Sequence, residues 1–423
     1  MNELSFSRRQ ALGALSAGVA SVALPGYARA LAAQGPSSEA EVNAILDSIG
    51  ENLLNLSPEG ATSLGIDTGA RAHLRSKLAD RSQAGQDKVA ATLRADLARA
   101  EGIDTSKLTH STRTTVEVVK SAYRVALEGF AQPYGGVAVG GWRNTPHVVN
   151  QNVGAYLDVP RFLDSDHPIR TAEDAEAYLA RLESYPSQLD GELGRLKAAG
   201  AKGLIAPAFL IDKAVNQMTM VVKGTREGGG LVESIERRTK DIAGNWGERA
   251  RGIAQQQVAP ALERQLAELT AQRSRATMDA GMWARPGGPE FYRWALRAST
   301  TTTMTPDEIH QMGLDQVAEL HGRMDVILKS LGYTQGTVGA RMTALSDDPR
   351  YKFAEGDPGR AEIMAFIQER LKIIRAQLPR AFPTMVRGNL EVKRLPPEEE
   401  PGAPGAYGGA GSIDGSIPGK FWI

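Results

Sequence analysis

The chain has 423 residues and 49 basic against 49 acidic side chains, so no charge excess marks it for a nucleic-acid partner. With 42% hydrophobic and 23% charged residues it can bury a sizeable core, which excludes a disordered polymer. Cysteine is absent, and disulfides, thiolate nucleophiles and cysteine metal sites go with it.

Residues 1–33 read as an export signal peptide. Arg8 and Arg9 precede an uncharged run from Ala11 to Leu24, then Pro25 and small residues offer cleavage after Ala30, Ala32 or Ala33. Phe6 and Leu12 flank the arginine pair as in the twin-arginine signal, which exports folded proteins to the periplasm of bacteria. The run is too short and too rich in Gly, Ala and Ser for a stable membrane span, so none is expected after cleavage. Residues 34–423 are expected to form one mostly helical periplasmic domain.

Apolar residues Val42, Ile45, Leu46, Ile49, Leu53 and Leu54 recur at helical spacing between Ser37 and Leu56. Helical patterns follow over Gln83–Ala100 and Thr109–Glu128. From Phe130 to Leu157 glycines and aromatics, among them Trp142, predict irregular structure. Thr171 and Asp174 open a helix through Tyr178, Leu182 and Leu189, in which Pro186 predicts a kink or an early stop. A stretch from Leu204 to Val222, interrupted by Pro207, and a long helical region from Leu231 to Met282 flank the Gly228–Gly230 turn. Thr305, Pro306 and Glu308 give an N-cap, a first-turn proline and an N3 glutamate. They start a helix with Ile309, Met312, Val317, Leu320, Met324, Ile327 and Leu331 on its apolar side, which Gly332 ends. Asp357-Pro358 starts another, with Ile363, Ile367, Leu371, Ile374 and Leu378. Leu390–Leu395 fits a short strand, and Phe421, Trp422 and Ile423 after a Gly-rich loop look like the opening of a strand that has been cut. A tail folded back on the helices is the alternative.

The chemical motifs are mostly negative. None of the six histidines has another three or four residues away, so there is no HExxH. His310 and His321 share a helix face but stand roughly 16 Å apart along its axis, too far to hold one ion. No Gly-x-Ser-x-Gly elbow and no phosphate loop occur. The Glu398-Glu399-Glu400 run reads as a solvated face.

Several segments together resemble the bacterial DUF885 proteins. They are Asn144-Thr145-Pro146-His147-Val148-Val149-Asn150-Gln151, the stretch through Tyr156 to Pro168, Thr305 to Gly313, Pro404-Gly405-Ala406-Tyr407, and Asp414 to Phe421. The resemblance covers most of residues 38–423 and implies a mainly α, helical zinc-peptidase-like fold with a few short strands near the C-terminus. It also implies that the zinc ligands and the general-base glutamate belong to a further C-terminal portion. The chain is therefore expected to be incomplete, with no metal ligand of its own, zinc entering only with that missing part. Ile417 stands where many relatives place an arginine.

What the resemblance leaves here is a wall for a peptide or dipeptide-like substrate: an edge strand that pairs with an extended peptide, with Gly405–Tyr407 and Pro418–Trp422 as candidates. Tyr407 is a candidate donor to a developing oxyanion, Asp414 orders the loop, Lys420 meets a substrate carboxylate, and Trp422 borders the cleft. The competing readings give Tyr407 a packing role, Asp414 a turn cap and Lys420 a solvent position. Three functions stay open: an incomplete relative of a periplasmic zinc-dependent peptidase, inactive alone; a non-enzymatic helical binding or scaffold protein; and one half of a split peptidase needing a complementary C-terminal segment or chain.

Overall fold

The structure is a computed structural model that describes residues 38–141, 144–382, 385, 388–394, 407–409, 411–412, 415 and 417–423. The export signal, Trp142, Glu398–Glu400, Pro404–Ala406 and Asp414 lie outside the described residues. The chain divides into two compact units that meet in sequence between Thr301 and Thr302.

The N-terminal unit is helical: α1 (Glu39–Leu56), α2 (Pro58–Ser63), α3 (Gln83–Glu101), α4 (His110–Phe130), α5 (Ala155–Ser165), α6 (Ala172–Ala201), α7 (Ala208–Glu227), α8 (Leu231–Arg238), α9 (Trp246–Ile253), α10 (Ala259–Arg273) and α11 (Gly288–Thr300). Its starts are chemical. Ser38 with Glu41 and Thr171 with Asp174 form reciprocal capping boxes, and Ser82 and Thr109 cap α3 and α4. Gly228 closes α7 in the left-handed conformation, where a Cβ is disfavoured.

Two large apolar cores and two small clusters, around Leu74 and around Ile211, hold this unit. Val42, Ile49, Leu93, Val116, Val119 and Tyr123 join α1, α3 and α4. A larger core gathers α5 to α10 around α6, with Tyr178, Leu182, Tyr185 and Leu189 all fully buried. The early stop expected at Pro186 does not occur, because α6 continues to Ala201. A mid-helix proline costs about 3 kcal/mol. Burying leucines on both sides of it, Leu182 and Leu189, contributes roughly 2 kcal/mol each and offsets that.

The long helical region expected from roughly Leu231 to Met282 divides into three helices, the last ending at Arg273. α8 ends at Arg238, and α9 passes through a single wide turn, Ala254–Val258, into α10. Pro260, in the first turn of α10, brings no N–H of its own, and the wider turn before it relieves the ladder there. The 130–157 segment is irregular as expected, with isolated bridges Gly136–Thr145 and Asn150–Val153. Its end, however, already belongs to α5.

The C-terminal unit has α12 (Pro306–Ser330), α13 (Val338–Asp347), α14 (Gly356–Ala381) and a sheet of β1 (Leu390–Lys393), β2 (Tyr407–Gly409) and β3 (Gly419–Trp422). The box of Thr305 and Glu308 starts α12, and Gly332 follows its end with positive φ. Asp325 of α12 pairs with Arg341 of α13, and Tyr333 donates to Asp348. In the sheet β3 is central, parallel to β1 and antiparallel to β2, in the order β1-β3-β2. The fold is thus mainly α with short C-terminal strands.

Candidate functional site

The sheet brings three of the four expected site residues together. Tyr407 in β2 stands opposite Trp422 in β3, and Gly409 stands opposite Lys420. Lys420 and Trp422, two residues apart, share a sheet face, with the Lys420 ammonium 5.7 Å from the Trp422 ring centroid, within cation–π range. One expectation is corrected. The Pro418–Trp422 segment was expected at an edge open to an extended peptide, but β3 has a neighbour on each side. Its backbone hydrogen-bonding groups are already engaged. The edges belong to β1 and β2, because in the folded sheet the chain returns between them.

The helices of the same unit carry the opposite anomaly. Every residue of α12 from His310 to Arg323 is exposed, including Met312, Leu314, Val317 and Leu320. Val317 is 50% and Ile327 58% exposed, and among α12 residues only Leu328 is buried. In α14 Phe366 and Ile374 are about half exposed. Sequence periodicity identified this apolar side, and no described element of the C-terminal unit covers it.

Within the N-terminal unit the notable chemistry is a buried polar network that sequence reasoning missed. Arg181 is fully buried on α6 and donates to the carbonyls of Lys77 and Leu74, to Thr62 Oγ1 and, at 2.7 Å, to His167 Nδ1. His167 Nε2 lies 2.9 Å from the Asp174 carbonyl. With Arg181 only able to donate, Nδ1 must accept and Nε2 must carry the proton, which fixes a neutral imidazole. Burial, with Arg181 and Arg238 nearby, pulls the His167 pKa down to about 3. Burial likewise pulls Arg181 down to about 10, still protonated at neutral pH. Arg75 bridges Asp67 and Asp174 beside them. These groups bond to one another, so the network ties the 58–78 segment to α6. His147 is also buried, its Nδ1 without a partner among the described residues and its pKa lowered to about 4 by burial and by Arg285.

A cleft of about 320 Å³ opens beside this core, between the last turns of α6, the first turn of α3 and the 130–148 segment. Arg195 of α6, Lys202 at its C-terminal cap, Gln83 and Gln86 of α3, and Tyr134 are among its lining residues. A smaller cleft of about 180 Å³ contains Glu59, Arg81 and Asp158. There Arg81 bridges Asp158 and Glu192, and the Glu192 carboxylate accepts the Ala155 N–H at the start of α5. Those charges are spent on structure.

Zinc does not fit the described residues, since no three His, Asp or Glu side chains among them converge on a point where an ion could be held. Nor is any described helix long and apolar enough to cross a membrane. Among curated proteins none is significantly similar to the chain. A crystal structure of a candidate lipoprotein from Colwellia psychrerythraea is similar over 92% of this chain and 67% of its own, with 25% identity and a TM-score of 0.83. A candidate lipoprotein of unknown function from Shewanella oneidensis is similar in fold, with 15% identity and a TM-score of 0.55, over 90% of this chain and 63% of its own. The chain thus spans about two thirds of the length of these solved relatives. Residues 58–423 match a family described as bacterial protein of unknown function, and the chain belongs to that family, DUF885.

Proposed function

We propose that this chain is a helical extracytoplasmic binding or scaffold protein whose C-terminal unit is completed by a further helical segment, and that the chain alone hydrolyses no peptide. The observation that carries this reading is α12, a long helix whose apolar side is exposed from Met312 to Leu320. Soluble monomers rarely expose a contiguous apolar patch of that kind, and an amphipathic helix is the element that fits beside another. The solved relatives, longer by about a third of their own length, supply the scale of such a segment. Their description as candidate lipoproteins, together with the twin-arginine-like leader, supports the periplasm. Any zinc-dependent peptide hydrolysis would belong to the completed assembly, with Tyr407, Asp414, Lys420 and Trp422 offering side chains to a peptide.

The test is isolation from native periplasm under non-denaturing conditions, with intact mass, zinc content and hydrogen exchange. The expected result is a species heavier than the lone mature chain, with α12 amides protected relative to the recombinant chain. A monomer of the lone mass with an equally exposed α12, or zinc and peptidase activity in the recombinant chain alone, would overturn the reading.

A further inference from the structure

Many cations of the N-terminal unit are paired with carboxylates, Arg75, Arg81, Arg226, Arg249 and Arg264 among them. Arg195 and Lys202 belong to those that are not. Neither makes an ion pair among the described residues, and both line the 320 Å³ cleft, Arg195 from α6 and Lys202 from the capping position just after it, seven residues on. Arg195 donates to the Gly135 carbonyl and, at 3.4 Å, to the Arg81 carbonyl, which leaves most of its five N–H groups over. The nearest acid in charge terms, Glu192, is already held by Arg81 and the Ala155 amide. Burial accordingly pulls the Arg195 pKa below its ordinary value, the sign of a desolvated cation whose charge no carboxylate answers directly.

The rest of the cleft is built rather than accidental. Gly135 admits no side chain, since a Cβ there would lie 2.4 Å from the His147 carbonyl carbon, and its N–H donates to the Pro146 carbonyl. Tyr134 is fixed by a 2.7 Å bond to the Pro286 carbonyl and by the Phe291 ring 4.2 Å away. Phe130, Val137 and Val148 add apolar wall, while the side-chain amides of Gln86 and Gln132 make no hydrogen bond among the described residues. The cleft therefore offers two cations, two spare amides and an apolar wall within a volume suited to a small ligand.

We propose that this cleft binds a small peptide-like carboxylate: Arg195 and Lys202 take the carboxylate, Gln86 and Gln132 take an adjacent amide, and the apolar wall takes its side chain. Bidentate pairing of a guanidinium with a carboxylate is strong in a half-buried setting, and an ammonium at the rim adds attraction. The site lies wholly within the N-terminal unit and needs no partner segment, so it stands or falls separately from the completion of the C-terminal unit.

Calorimetric titration of the full chain with N-acetyl-phenylalanine, its carboxamide and inorganic phosphate tests this. The acid is expected to bind at millimolar affinity or tighter and the carboxamide at least tenfold more weakly. Arg195→Gln should lose tenfold or more. Because that change also frees the Gly135 carbonyl, Lys202→Gln is the second variant: exposed and unbonded, it should keep the melting temperature and lose several-fold in affinity. Equal binding of acid and carboxamide, no binding of either, or an unchanged affinity in Lys202→Gln would overturn the proposal. Phosphate binding as tightly as the acid would also overturn it, because the apolar wall would then contribute nothing.

Discussion

Arg181 shows what one buried side chain does when every neighbour is chosen for it. Its donors reach two carbonyls, a hydroxyl and an imidazole, and replacing it strands all four acceptors in the interior. Arg181→Met should destabilise the N-terminal unit by about 3 kcal/mol, read as a lower midpoint in urea unfolding. The two buried histidines predict an acid dependence whose sign is fixed. Their folded pKa values, about 4 for His147 and about 3 for His167, lie below the unfolded value near 6.5. The unfolded chain thus binds the extra protons, so stability is full above pH 6.5 and falls as pH drops through 4 toward 3. For His147 the loss is on the order of 3 kcal/mol between pH 6.5 and 4, and His147→Leu should flatten the urea midpoint over that range. None of this was legible in the sequence. Arg181 and His167 are fourteen residues apart on different elements, and a lone histidine has no local signature of the guanidinium that will face it.

Elements were far more legible than sites, because capping chemistry is local. Thr305-Pro306-Asp307-Glu308 and Thr171 to Asp174 each close a hydrogen-bonded box within four residues, and both helices start there. The misses have a tertiary cause. Pro186 removes one ladder bond from α6, yet the packing on both sides carries the helix through. Pro186→Ala restores that bond and should stabilise the unit by about 1 to 3 kcal/mol, seen as a higher urea midpoint. Gly129 makes the same point from the other direction. A Cβ there would lie 2.1 Å from the Trp294 ring of α11, whose indole donates at 2.8 Å to the Val125 carbonyl of α4. Gly129→Ala raises intrinsic helix propensity but should still destabilise by about 1 to 3 kcal/mol, with a change in tryptophan fluorescence as Trp294 is displaced.

For the whole molecule the two units pose different problems. The N-terminal unit buries its apolar sides chiefly in two large cores, and it sets two cations without ion pairs among the described residues in one cleft. The C-terminal unit leaves the apolar side of α12 open. Ile327→Glu should change the stability of the isolated chain by no more than about 0.5 kcal/mol, since the residue is already in water. In the native assembly the same change should weaken the association that covers α12, measured as a faster dissociation in native mass spectrometry. Composition alone excluded disulfide and thiolate chemistry, and periodicity and caps alone set the helical class and most helix starts, because those signals act within a few residues. Only the tertiary structure made β3 central rather than an edge, left α12 uncovered, and set Arg195 and Lys202 beside Gln86 and Gln132 across one cleft. Such placements depend on which surfaces meet, and no local pattern along the chain encodes that.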